Sequence, residues 1–70
     1  MSRVAALGER HRVEGFGLAG ALVLIADHAA AVRDAWADLP DDIEVLIVTP
    51  SAAAVLDGVL DAAPVWVVLP

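Results

Sequence analysis

Residues 20–39 read Gly20-Ala-Leu-Val-Leu-Ile-Ala-Asp27-His-Ala-Ala-Ala-Val32-Arg-Asp-Ala-Trp36-Ala-Asp-Leu39, and how this stretch divides decides the fold. It could form one long helix, since alanine and leucine favour helix intrinsically. A break is the better reading. Val23 and Ile25 are β-branched, and Ala21 to Ala26 is a continuous apolar run of the kind that suits a strand buried on both faces. Asp27 is then a good N-cap, and a helical stripe of Val32, Ala35, Trp36 and Leu39 restarts behind it over His28 to Leu39. Arg33, Asp34 and Asp38 fall off that stripe.

The same alternation extends both ways. Arg3 to Leu7 reads as a short strand ending at Gly8. Glu9 to Phe16 has weak helical character, with Val13 and Phe16 three apart, and Gly15, Gly17 and Gly20 break it. After the turn Pro40-Asp41-Asp42, Ile43 to Val48 is a second strong strand. Thr49-Pro50-Ser51 is a helix start with a hydroxyl cap on either side of a proline. Ala52, Val55, Leu56, Val59 and Leu60 form the next apolar stripe, with Asp57 and Asp61 on its wet side, and Pro64 closes that helix. Val65 to Leu69 is a last strand. Strands alternating with helices predict an α/β fold: a four-stranded parallel sheet of order 2-1-3-4, flavodoxin-like, flanked by helices and covered on both faces.

Composition sets the bounds. Seventy residues make one domain, 1–70, and 60% of them are hydrophobic, too many for a disordered chain. That fraction is high for so short a chain and points to a partner or a missing segment. With no cysteine there is no disulfide frame and no thiolate chemistry. The four basic residues are all arginine, so a Walker phosphate loop and a Schiff-base lysine are both out. A net charge of −6 without a basic stripe argues against nucleic acid. The longest apolar run, Phe16 to Ala26, is about half the roughly 20 residues a spanning helix needs. Arg3, Arg10 and Arg12 before that run, with Ala29-Ala30-Ala31 behind it, outline a signal peptide. Glu9 and Glu14 dilute its charge, and cleavage would leave about 40 residues, too few for an ordinary core.

The candidate sites weigh as follows. Gly15-Phe16-Gly17-Leu18-Ala19-Gly20 matches G-x-G-x-x-G, but it follows a helical stretch and precedes a strand, the reverse of a dinucleotide fingerprint. A glycine-rich helix stop explains it better. A receiver domain would need clustered acids after the first strand, where only Glu9 stands, and a lysine. Asp38, Asp41, Asp42 and Glu44 could attract a divalent cation, yet a solvated loop accounts for them. His11 and His28 lack ligand spacing, and Ser51 has no glycine elbow. Trp36 and Trp66 read as core or interface residues. The residues point to no catalytic group, no metal site and no cofactor.

A strand ending in a glycine and an acid, then a Gly-Phe-x-Leu-Ala-Gly segment, runs here as Gly8-Glu9-Arg10-His11-Arg12-Val13-Glu14-Gly15-Phe16-Gly17-Leu18-Ala19-Gly20. In this the chain resembles the F subunit of the A-type and V-type ATP synthases. Leu46-Ile47-Val48-Thr49 looks like that family's third strand, and Pro64-Val65-Trp66-Val67-Val68-Leu69-Pro70 like its fourth. The resemblance covers essentially the whole chain and is specific in Gly15 to Gly20. Gly17 stands where the family usually has arginine, and the family continues into a C-terminal helical part with no counterpart here. The resemblance implies a non-catalytic rotor part of the central stalk. Such a part is cytoplasmic and peripheral to the membrane. It packs on the coiled-coil D subunit among other rotary ATPase subunits, and it couples ion transport to ATP chemistry. Phe16, Leu18 and Ala19, with their flanking glycines, are the expected docking or turn residues, though Phe16 and Leu18 could equally be core. The rival expectation is a small Rossmann-like nucleotide- or ligand-binding domain, with its ligand at the strand ends near Gly8 and Thr49.

Overall fold

A computed structural model describes residues 3–57 and 65–70. Four strands, β1 (Arg3–Gly8), β2 (Leu22–Ile25), β3 (Ile43–Val48) and β4 (Val65–Val68), form one sheet of order β2-β1-β3-β4. Every neighbouring pair is parallel. The expected α/β architecture and strand order are therefore present, and Gly20 to Leu39 is a strand followed by a helix. Helices α1 (Arg10–Val13), α2 (Ala29–Ala37) and α3 (Pro50–Val55) lie in the crossovers. The expected third helix does not run unbroken to Pro64: α3 already ends at Val55 with Leu56 as its cap, and Val59, Leu60 and Pro64 lie outside the described residues.

Register assigns the faces. Ala5, Leu7, Leu22, Leu24, Leu46 and Trp66 share one side, and α2 and α3 cover it with Val32, Ala52 and Leu56. The chain moves outward from β1 to β2 and then back across to β3. Right-handed crossovers consequently put α1 on the opposite face from α2 and α3. On that second face Val13 is fully buried, as is Ala6 of β1.

The local rules hold with four corrections. First, Asp27 is not the N-cap of α2. His28 is, its Nδ1 accepting from the Ala31 N–H at 3.2 Å, while the Asp27 carboxylate accepts from the Arg10 N–H at 3.2 Å. Second, α2 ends at Ala37, capped by Asp38, rather than at Leu39. Third, Gly15 and Gly17 do not stop the first helix. A 3₁₀ segment, Glu14–Ala19, runs straight through them, and only Gly20 ends it. Gly20 takes φ 89°, ψ 6°, and its N–H and that of Ala21 return to the carbonyls of Gly17 and Phe16. This is the Schellman closure that favours glycine at the left-handed position.

The fourth correction concerns cover. The sheet is not clothed on both faces among the described residues. α1 and the 3₁₀ segment sit over β1 and β2, but the β3–β4 half of that face carries exposed Val65 (70%) and Val67 (50%).

Glycine substitutions separate conformational need from mere space. Gly20→Ala places a Cβ in the left-handed region and is expected to lower the unfolding free energy by about 1–2 kcal/mol. A Cβ at Gly15 meets nothing within 4 Å, and that residue does not have positive φ. Gly15→Ala should therefore be neutral or stabilising by up to about 1 kcal/mol. Urea denaturation of the two variants checks both values.

Candidate functional site

In open parallel sheets ligands bind beyond the carboxyl ends of the strands, where the strand order reverses. Here that point lies between β1 and β3. Gly8 and Glu9 leave β1, Ala26 and Asp27 leave β2, and Thr49, Pro50 and Ser51 leave β3. Parallel pairing brings these three exits together although they are far apart in sequence.

The exits are laced to one another. The Thr49 N–H donates to the Leu7 carbonyl at 3.2 Å and the Ala26 N–H to the Gly8 carbonyl at 2.8 Å. Above them, Glu9 Oε1 accepts from Thr49 Oγ1 at 2.7 Å and from Ser51 Oγ at 2.6 Å. Thr49 is completely buried and also caps α3 by accepting from the Ala52 N–H. Gly8 is required beneath this knot. A Cβ there would stand 2.5 Å from Thr49 Oγ1 and closer still to its Cγ2. The Ser51 hydroxyl, and after it that of Thr49, holds the Glu9 carboxyl below its ordinary range.

What remains open is small. A cavity of about 70 Å³ is lined by Glu9, Asp27, His28, Val32, Ser51 and Val55. Pockets for drug-sized ligands span roughly 300–1,000 Å³. Ser51 faces a carboxylate, and the His28 Nδ1 is engaged in capping, so neither side chain is arranged for nucleophilic catalysis with the other. Among the described residues no three His, Asp or Glu side chains are grouped to hold a metal ion. Asp38, Asp41, Asp42 and Glu44 are exposed, and Asp42 is forked onto Arg3 at 2.6 and 2.9 Å.

The Gly15–Gly20 segment sits at the other end of the molecule. It delivers the chain into the start of β2, away from the strand exits. Phe16 is half-buried, whereas Leu18 is 96% exposed and is not a core residue. An open groove of about 600 Å³ runs beside the segment, lined by Arg3, Val4, Phe16, Ala19, Gly20 and Ile47. Neither the polar knot nor this groove is visible in the sequence. Glu9 and Ser51 stand 42 residues apart, and no local pattern couples them.

No protein-family model and no curated protein sequence matches this chain. Among the described residues no helix is long and apolar enough to cross a membrane.

Two substitutions probe the knot. Gly8→Ala is expected to cost about 1–3 kcal/mol, because the buried Thr49 side chain must move. Glu9→Gln removes the charge and keeps the shape. A carboxyl with a depressed native pKa stabilises above its unfolded pKa, and that contribution is lost as pH falls through the native value. Glu9→Gln should thus be less stable than wild type at pH 7, by about 1 kcal/mol or less given its partial exposure. The difference should close on acidification below the ordinary carboxylate range, as denaturation at stepped pH would show.

Proposed function

We propose that the protein works by contact rather than catalysis, as a non-catalytic interaction component of the kind found in the rotor stalk of A-type and V-type ATPases. In this reading it is a counterpart of the F subunit that packs on the coiled-coil D subunit, peripheral to the membrane on its cytoplasmic side. There it transmits the coupling between ion transport and ATP chemistry through protein–protein contacts.

One observation carries the reading. Leu18, 96% exposed, stands in the glycine-rich segment whose Phe16 and Ala19 line an open groove together with Val4 and Ile47. Contiguous apolar surface of this kind marks interaction sites on small domains. The sealed strand exits support it from the other side. The position where this fold class takes ligands is filled by the Glu9, Thr49 and Ser51 side chains, which weighs against the rival nucleotide-binding reading.

Co-expression with a rotary ATPase D subunit encoded in the same genome should return a complex that survives purification. Leu18→Asp should weaken it by about tenfold or more, as for a buried interface anchor. Failure of wild type to co-purify with any such stalk protein overturns the reading. A saturable rise in melting temperature with adenine nucleotides would favour the rival.

A further inference from the structure

We propose that His28 is a pH-sensitive cap: as a neutral ring it closes the first turn of α2, and on taking up a proton it lets that turn go. The geometry fixes which form can do this. The His28 backbone is extended, at φ −151° and ψ 167°, and its Nδ1 accepts from the Ala31 N–H at 3.2 Å. An accepting Nδ1 carries no proton, so the neutral ring holds its hydrogen on Nε2. In the imidazolium both ring nitrogens are donors, and the bond to Ala31 is lost. Histidine is the side chain whose charge ordinarily changes between about pH 5 and 8, whereas the usual cap residues keep one form across that range.

Among the described residues no other side chain accepts from the first turn of α2. Asp27, the preceding residue, already accepts from the Arg10 N–H. The turn itself is Ala29-Ala30-Ala31 and has no acidic side chain. A cation at this end also faces the positive end of the helix dipole, which adds to its release.

The surroundings give the charged ring somewhere to turn. His28 borders the cavity of about 70 Å³ at the strand exits, where the charged groups are Asp27, leaving β2, and Glu9, leaving β1. α3 faces the same space with Ser51 and Val55, both uncharged. The charge of His11 is felt at Glu9. Two carboxylates therefore stand beside the imidazolium once it leaves the helix end. Loosening stops at Val32, which is 3% exposed and belongs to the core beneath α2, and whose N–H keeps the His28 carbonyl.

Nitrogen NMR of the imidazole rings and amide exchange of the intact chain test this. Near pH 8 the His28 ring is expected in the Nε2–H tautomer. On acidification to about pH 5 the Ala31 amide should follow the His28 titration, and its protection, corrected for intrinsic exchange, should fall by about two- to thirtyfold, the worth of a helix cap. Val32 should keep its protection. His28→Asn retains a side-chain oxygen at the cap without a titrating ring, so Ala31 should stay protected throughout. His28→Ala should leave Ala31 unprotected at both ends of the range. His11→Gln should retain the wild-type response, which separates the two histidines. Far-UV circular dichroism checks that each variant is folded. A neutral His28 with its proton on Nδ1 overturns the proposal, as does an Ala31 amide that ignores the His28 titration or a response that persists in His28→Asn.

Discussion

The hand of the crossovers governs this molecule. With strand order β2-β1-β3-β4, the first connection runs one way across the sheet and the next two run the other way. A fixed right hand then places one helix on one face and two on the other. Two short helices are enough to bury Leu7, Leu46 and Val48 on their side. A single four-residue helix with its 3₁₀ extension cannot span four strands, so it covers β1 and β2, and among the described residues no other helix stands over β3 and β4 on that face. The bare valines thus follow from topology and element length, with no special sequence needed to expose them.

The same topology explains why the strand exits are stitched shut. At the switch point two helices diverge to opposite faces and would leave a crevice between β1 and β3. Gly8 lets the strands close to the point where Thr49 fills the space of a side chain, and Glu9 bridges the two exits with a carboxylate that accepts two hydroxyls. A buried threonine hydroxyl without a partner would be costly, and here it both donates to Glu9 and accepts from the start of α3. One residue therefore caps a helix, seals a crevice and anchors a loop. In a domain this small, that economy leaves little room for a ligand at the same place.

Much of this architecture was legible in the sequence because it is written in short-range pattern. A continuous apolar run with β-branched Val23 and Ile25 marked β2, the Ile43–Val48 run marked β3, and the 3.6-residue stripe of Val32, Ala35 and Trp36 marked α2. Thr49 before a proline marked the start of α3. What the sequence left hidden depends on choices between neighbours of similar chemistry. His28 rather than Asp27 caps α2, because the Asp27 carboxylate is drawn to the Arg10 N–H, a tertiary contact across 17 residues. The glycines of 15–20 suggested a stop, but two of them are tolerated inside a tight 3₁₀ turn and only Gly20 needs a left-handed backbone. The exposure of Val65 and Val67 was hidden for a different reason. An apolar strand reads as covered on both faces, and whether a helix is there to cover it is a property of the whole topology.

Size and composition together bear on stability in this protein. A chain that is 60% hydrophobic yet only 70 residues long leaves apolar atoms in water, and among the described residues three of its exposed large hydrophobics, Val65, Val67 and Val68, belong to the edge strand β4. Whatever covers those side chains binds the native state and not the unfolded chain, so it adds to folding stability in proportion to the logarithm of its concentration over its dissociation constant.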